Sequence, residues 1–271
     1  MKSRVSILIV LLIFCVLAAN AQIHIGATTA INATAVLDEG LKSDPRYDAQ
    51  ITYNASPIGF AFGVNLGRKF GLSLESIVAK QGQIYNVIDI AKKVQGERKI
   101  DLTYLQLPLM MNFMSGGSGG VRGNFNFGPQ IDILTKAIET VQSNPGTFKI
   151  PTEDPNFELP TGAVVDPSDP TQYIQNQSIP TTELLSKEAG DFANTQFSLA
   201  AAFGLDIDLS KNLYLTSQVR ATYSLTGMRN GDVVTQIAQG NASGLISEGA
   251  TVQIGVQLGL HFMIGGTRSK K

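Results

Sequence analysis

The last part of the chain, residues 250–264, alternates between apolar and mostly polar or small side chains. Its even positions are all apolar, while its odd positions include Thr251, Gln253 and His261. Because successive side chains of a strand point to opposite faces, this period of two predicts a strand with one wholly apolar face. Strands of soluble sheets usually have about five or six residues, whereas a tilted strand needs about 9–11 residues to cross a bilayer core. The segment therefore predicts a membrane-spanning strand.

The same alternation recurs in seven earlier segments. They cover residues 23–36, 51–66, 72–81, 100–114, 123–134, 195–209 and 213–225. The connections alternate in length: short ones follow near Gly67, Gly116 and Ser210, and long ones begin near Asp38, Gln83, Lys136 and Gly227. Transmembrane barrels have short periplasmic turns and longer outer loops. The pattern predicts an all-β fold: one domain over residues 22–271, an eight-stranded antiparallel up-and-down transmembrane barrel.

A soluble β-sandwich or lipocalin-like barrel is the competing interpretation. In water, however, the apolar faces would form one large exposed patch. A soluble barrel also has no reason to place every long loop at one end. One irregularity is expected in either case, because Pro108 lies inside the fourth segment and requires a bulge or an unpaired amide there.

The N-terminus has the order of a secretory signal peptide. Lys2 and Arg4 precede an apolar run at residues 5–18, and small residues follow at Ala19 and Ala21. This order predicts a signal peptide over residues 1–21, cleaved after Ala21. The apolar run is too short for a transmembrane helix.

Composition narrows the class of protein further. The 271 residues are 43% hydrophobic and 16% charged, and the one cysteine, Cys15, lies in the predicted signal peptide. Without that segment, 19 basic residues stand against 22 acidic ones, a net charge of −3. No basic patch suggests nucleic acid as a partner. An exported chain with long alternating strands predicts location in the bacterial outer membrane, with outer-membrane lipid as its surroundings.

The longest connection, residues 136–194, is predicted to be an extracellular loop. Its 59 residues contain seven of the eleven prolines, and nine acidic residues stand against three lysines, a net charge of −6. A loop of this length is usually functional or disordered, and the barrel is expected to fold without it. Asp166 and Asp169 could offer oxygen ligands to calcium, but the EF-hand spacing is absent. A solvated loop is the favoured interpretation.

Inward-facing polar side chains are expected to fill the lumen, because eight strands leave room for little else. The predicted lumen polar cluster consists of Glu75, Tyr104, Gln106, Asp132, Gln218 and Arg220. Arg220 requires a partner away from water, and Glu75 or Asp132 is expected to supply it across the lumen. A packed ion-pair plug is favoured over a gate or a substrate site.

The only two histidines, His24 and His261, begin the first strand and end the last one. Both are therefore predicted at the periplasmic rim, as packing residues. An enzyme acting on outer-leaflet lipid would need its base at the opposite rim, and the chain contains no nucleophile motif or phosphate loop. No catalytic, cofactor-binding or metal-binding residue is predicted, and the protein is expected not to be an enzyme.

Four segments of the chain resemble a known family. They are residues 71–75 (GLSLE), 80–82 (KQG), 102–109 (LTYLQLPL) and 127–130 (FGPQ). These segments resemble the PorT-like outer-membrane β-barrel proteins of Bacteroidetes, which usually have Glu where this chain has Gln106 and a shorter loop after the fifth strand. The resemblance implies an eight-stranded barrel, and it implies a link to type IX protein secretion for one member.

Three functions follow as hypotheses. The first is a non-enzymatic integral barrel that is structural or binds a partner through its long acidic loop. The second is an accessory component of a type IX-like secretion machine, with another envelope or secretion protein as partner. A lumenal enzyme is the third.

Overall fold

The computed structural model describes residues 22–67, 69–115, 120–152, 158–239 and 246–264. The predicted signal peptide and most of the predicted turn at 116–120 lie outside these residues. In the described parts, the chain forms eleven strands and two helices. The strands are β1 (Gln22–Leu37), β2 (Tyr47–Gln50), β3 (Thr52–Asn65), β4 (Phe70–Ile88), β5 (Val94–Met114), β6 (Val121–Pro151), β7 (Val164–Asp166), β8 (Asp169–Ser186), β9 (Thr195–Asp208), β10 (Leu213–Ser224) and β11 (Ala250–Ile264), and the helices are α1 (Glu39–Ser43) and α2 (Gly231–Gln239).

Eight of the strands close into an antiparallel ring. Its order is β1, β3, β4, β5, β6, β9, β10 and β11, and β11 pairs back with β1 from Ile264 opposite Ile23 to Ala250 opposite Leu37. The fold is therefore an all-β antiparallel barrel. The prediction of eight strands describes this ring but not the whole sheet, because β2, β7 and β8 pair with the same sheet beyond it.

The barrel wall turns its apolar side chains outward. In β11, Ile254, Leu258 and Phe262 are 52%, 44% and 47% exposed, while the neighbouring Gln253 and Gln257 are buried. The apolar face predicted for residues 250–264 is the outer face of the ring. Because such a belt is unfavourable in water, the wall has the pattern of a lipid-facing surface.

The two ends of the barrel differ. At one end, which we call the turn end, β1 begins, β11 ends, and the connections β3–β4, β5–β6 and β9–β10 are short. At the other end, which we call the extension end, β4, β5 and β6 continue beyond the ring. There β2 pairs with β4, β8 pairs with β6, and β7 pairs with β8. We call this part of the sheet the extension.

Two segments that were predicted to be loops belong to the extension. Residues 82–99 were expected to form a loop after strand three, with a continuation of that strand over residues 84–90 as the alternative. The structure shows this alternative, because β4 continues to Ile88 and β5 begins at Val94, so only five residues connect them. Residues 136–194 were expected to be unstructured, but they contain the end of β6 with β7 and β8. Beyond the apolar belt, most outward positions of β5 and β6 are polar, for example Glu97, Lys99 and Gln142, and such a pattern resembles that of a loop.

The buried face of β6 changes at Thr135. Leu134 pairs with Tyr104 and Lys136 with Thr103, so Thr135 is one extra residue in β6, and its hydroxyl donates a hydrogen bond of 2.9 Å to the carbonyl of Thr103. The buried residues are even-numbered up to Leu134 and odd-numbered from Ala137 to Ser143. A bulge of this kind turns the following side chains to the other face.

Two further predicted loops contain regular elements. The segment 38–50 forms α1 and β2, and residues 226–248 contain α2. Asp38 begins α1, because its carboxylate accepts a hydrogen bond of 3.1 Å from the amide of Leu41. Neither of the two described helices is long and apolar enough to cross a membrane.

Of the two irregularities expected at Pro108, a bulge or an unpaired amide, the structure shows no bulge. Leu74 pairs with Leu109 and Ile77 with Gln106, which is one register on both sides of the proline. On the other side, Pro108 lies opposite Gln130 of β6. The missing amide therefore leaves a gap in the β4–β5 ladder and does not shift the strands.

Candidate functional site

An ion pair between Glu75 and Arg220 crosses the lumen. Arg220 Nη1 lies 2.7 Å from Glu75 Oε2, and both residues are buried. Gln257 contacts both partners: its Oε1 accepts from Arg220 Nη1 at 3.2 Å and its Nε2 donates to Glu75 at 3.1 Å. Of the two carboxylates expected to pair with Arg220, the structure selects Glu75.

Asp132 joins the same network indirectly. Arg220 Nη2 donates to Gln130 Oε1 at 3.1 Å, and Gln130 Nε2 donates to Asp132 at 2.6 Å. Asp132 also accepts a hydrogen bond from Ser198. Gln218 contacts the network from the other side, where its amide donates to Gln257 at 2.7 Å.

The other two residues of the lumen polar cluster differ in their contacts. Gln106 forms a side-chain hydrogen bond with Asp132, its cross-strand neighbour, and so joins this network. Gln106 donates at 3.3 Å to Gln253, which also accepts from Gln81 at 3.0 Å. The Tyr104 hydroxyl is buried and makes no hydrogen bond with the described residues. The six predicted residues therefore all face the lumen, and five of them belong to one network, while the Tyr104 hydroxyl does not.

A second buried charge network lies at the extension end, and sequence reasoning missed it. We call it the cap network: Asp38, Arg98, Glu139 and Arg229. The fully buried Arg229 pairs with Asp38 and, at 2.8 Å, with Glu139. Arg98 pairs with the other oxygen of Glu139 through Nε at 2.7 Å. Each carboxylate therefore has a guanidinium partner, as buried charges require.

The cap network connects four separate parts of the chain. Asp38 lies before α1, Arg98 in β5, Glu139 in the extended part of β6, and Arg229 between β10 and α2. Ser247, before β11, donates to Asp38 through its amide and its hydroxyl, each at 3.0 Å. These links hold the connections of the extension end across the mouth of the barrel.

An apolar core lies beside the cap network. It contains Leu41 of α1, Met228 and Phe192 from two connections, and Ile100 and Leu102 of β5, all nearly inaccessible to solvent. Apolar packing of this kind excludes water. The extension end of the lumen is thus closed by charge pairs and an apolar core, with the polar network below them.

The two histidines lie together at the turn end, beside a polar cavity. The rings of His24 and His261 are 5.6 Å apart, and Tyr214 stacks on His261 at 4.8 Å. The cavity they line encloses about 470 Å³ with its mouth.

Glycines of neighbouring strands leave the space for these rings. A Cβ on Gly63 would lie 2.2 Å from His24 Nε2, and one on Gly26 would lie 2.4 Å from His261 Nδ1. The rings therefore pack flat against the wall, in the manner of aromatic rings that cover strand glycines.

The extension has a buried core of its own. Val87, Val141, Phe148, Ile150 and Tyr173 form this cluster, from β4, β6 and β8. A sheet with one covered apolar face can be stable outside the ring. The extension is therefore an ordered sheet.

Asp166 serves the extension as a structural carboxylate. Lys149 Nζ lies 2.5 Å from it, and the hydroxyl of Ser168 donates to it at 2.7 Å. The hydrogen bond from Lys149 is the main cause that lowers the pKa of Asp166 to about 2. In the part of the chain that the structure describes, no three His, Cys, Asp or Glu side chains form a group able to hold a metal ion.

Comparison with known proteins gives one family match. The profile of the outer membrane protein beta-barrel domain matches residues 18–230. No curated protein matches the chain.

Among solved structures, Neisserial surface protein A has 8% identity and a TM-score of 0.39, covering 90% of this chain and 98% of its own. OprG of Pseudomonas aeruginosa has 11% identity and a TM-score of 0.40, with coverages of 90% and 95%. Ail of Yersinia pestis has 10% identity and a TM-score of 0.34, with coverages of 88% and 98%.

Proposed function

Because the chain belongs to the outer membrane protein beta-barrel domain family and is a protein of the bacterial outer membrane, we propose that it is a non-enzymatic barrel that displays an ordered sheet to a partner outside the cell. One observation carries this proposal. The strands β4, β5 and β6 continue past the apolar belt and form, with β8, a sheet with its own buried core.

The orientation of the barrel supports an extracellular position for the extension. Both chain ends of the ring and three short connections lie at the turn end, whereas the three longest connections and the far end of the extension, where five residues join β4 to β5, lie at the other end. In transmembrane barrels of the outer membrane, short turns face the periplasm and longer loops face the outside. The extension then projects from the cell surface.

Order in the extension favours binding over a spacer role. A preformed surface loses less conformational entropy on association than a flexible loop does. The acidic character of residues 136–194 is reduced, because Glu139 and Asp166 are paired internally. Glu158, Glu183 and Glu188 remain exposed, so the partner meets a surface of modest negative charge.

The filled lumen argues against transport. The Glu75–Arg220 network occupies its middle, and the cap network with its apolar core covers the extension end. Eight strands enclose a space that side chains can fill.

Labelling of single cysteines at the cell surface tests the orientation of the barrel in the outer membrane. The one cysteine, Cys15, lies in the predicted signal peptide. The chain that remains after the expected cleavage has no thiol, so a single introduced cysteine is a unique labelling site. We expect a membrane-impermeant maleimide to label Glu183→Cys of the extension in intact cells. Lys211→Cys, an equally exposed residue at the turn end, should react only after the outer membrane is permeabilised. The reverse pattern of labelling would place the extension in the periplasm.

Crosslinking from Glu183→Cys tests the binding function. A photoreactive group on this cysteine should attach one partner in intact cells. The attachment should disappear in a shortened chain in which a two-residue Asn-Gly turn replaces residues 144–178 and joins Ser143 to Ile179, which are paired neighbours, by a favoured hairpin connection.

The shortened chain should still reach the membrane, because it retains Glu139 and the rest of the cap network. Removing all of residues 136–194 should be more damaging, since it also removes Leu185 and Phe192 from the apolar core. The binding function fails if the shortened chain captures the same partner, or if the full chain captures none.

An accessory role in protein secretion is the second candidate function. It is supported by the resemblance of the segments 102–109 and 127–130 to the PorT-like proteins. In the fold these segments are paired neighbours, with Pro108 opposite Gln130, and they belong to the barrel wall and not to the extension. Secretion components attached to Glu183→Cys would favour this role over a cell-surface ligand.

A further inference from the structure

A polar groove lies in the extension, between the start of β5 and the β6–β8 pair. We call it the bulged groove. Its open volume is about 730 Å³. The side chains used below are Gln95 of β5, Gln142, Ser143 and Asn144 of β6, and Ser178 and Thr181 of β8.

Two opposed irregularities open the groove. Between the pairs Val141–Thr182 and Ser143–Ile179, β8 has one residue more than β6, and before Gly146–Gln177 the excess is on β6. Pro180 lies in the first irregularity and Pro145 in the second. Proline lacks the amide needed for a ladder and is therefore confined to bulges and edges, and bulges redirect side chains.

The floor of the groove depends on a close approach of β5 to β6. A Cβ on Gly96 would lie 2.0 Å from the carbonyl oxygen of Gln142, so only glycine allows this spacing. The groove thus has a fixed backbone floor, with side chains along its sides.

The lining is polar and uncharged. Three carboxamides and three hydroxyls contribute to it, with two prolines and no charged residue. Charged ligands such as phosphates or sulfates are usually held by Arg or Lys, and stacked bases require aromatic rings. The groove offers neither.

Internal hydrogen bonds orient the amides. The hydroxyl of Thr181 donates to Gln142 Oε1 at 2.9 Å, and Gln95 Nε2 donates to Asp89 at 2.6 Å. Among the described residues, Gln142 Nε2 and Gln95 Oε1 have no hydrogen-bond partner. One is a donor and the other an acceptor, and hydroxyls of a sugar can serve as partners for both kinds of group.

We propose that the bulged groove binds a neutral carbohydrate. This inference rests on the proposed function and specifies the ligand class of the displayed sheet. A chain of hexoses presents hydroxyls without charge, which matches amides and hydroxyls fixed on a rigid floor. The sugar could belong to polysaccharide of the same cell or to a foreign glycan.

The test uses the full-length protein in detergent on an array of neutral, sialylated and sulfated oligosaccharides, with polysaccharide extracted from the producing cells as a separate arm. Neutral sugars should bind. The double variant Gln142→Ala with Asn144→Ala should lose about tenfold in affinity, because it removes two ligand hydrogen bonds. Asn176→Ala, an exposed amide of β8 outside the groove, is the matched control and should bind normally.

A second variant, Thr181→Val, removes the hydroxyl that orients Gln142 and should also weaken binding. The proposal is overturned if no neutral sugar binds, if only charged sugars bind, or if both groove variants bind as tightly as the control. Loss of the crosslinked partner in the shortened chain, together with failure of every sugar, would reject the carbohydrate site and keep the binding function.

Discussion

Replacing Arg229 with methionine is expected to lower the free energy of unfolding by about 3–5 kcal/mol, the usual effect of removing one partner from a buried charge pair. The substitution leaves Asp38 buried without its guanidinium, and Glu139 then retains only Arg98. Because the chain has no tryptophan, unfolding in urea is best followed by circular dichroism of the barrel in lipid vesicles.

Lys149→Met is the matched control for Arg229→Met. Lys149 also pairs with a carboxylate, Asp166, but its side chain is 37% exposed whereas that of Arg229 is fully buried. Because the Lys149 ammonium is partly hydrated, its loss should cost clearly less unfolding free energy than the loss of the buried Arg229 guanidinium. Equal losses in the two variants would contradict a special role for the cap network.

The cap network could not have been predicted from local sequence patterns. Its four residues belong to segments that were interpreted as loops, and the nearest of them in sequence, Arg98 and Glu139, are 41 residues apart. A weak signal was present, because Arg98, Ile100 and Leu102 alternate with exposed or half-buried residues in the same period as the membrane part of β5. Only the pairing of β5 with β6 brings Arg98 close to Glu139.

The extension was missed because the rule that revealed the barrel changes outside the membrane. In the ring, apolar side chains point outward and polar ones such as Gln81 point inward; farther along the same strand, Tyr85 and Val87 point inward. A single strand thus follows the membrane pattern first and the ordinary amphipathic pattern afterwards. The bulge at Thr135 then changes the phase of β6 as well.

The side-chain contacts in the lumen could be predicted better than the strands of the extension, for an electrostatic reason. A guanidinium in the middle of a membrane-spanning strand requires a partner, and only a few carboxylates lie at a comparable depth in other strands. The sequence therefore reduced the partners of Arg220 to Glu75 and Asp132. It could not place Gln130 and Gln257, since neutral amides give no comparable signal, yet both connect the charged residues.

Arg220→Met should also cost about 3–5 kcal/mol of unfolding free energy, because it leaves the Glu75 carboxylate buried in the lumen with an amide as its neighbour. Glu75→Leu should cost a similar amount by leaving the guanidinium without its counter-charge. The double variant is the informative one. Apolar replacement of both members of a buried pair is often nearly neutral, so its loss should be clearly smaller than the sum of the single losses.

A double-mutant cycle measures that difference. The three variants and the unaltered barrel would be unfolded in urea in the same lipid vesicles, and the coupling energy between positions 75 and 220 would follow from the four unfolding free energies. Some loss of unfolding free energy should remain in the double variant, since Gln130 and Gln257 lose the guanidinium from which they accept hydrogen bonds. Additive single losses would mean that the pair acts as two independent side chains, and the plug would then depend on the surrounding amides and not on its ion pair.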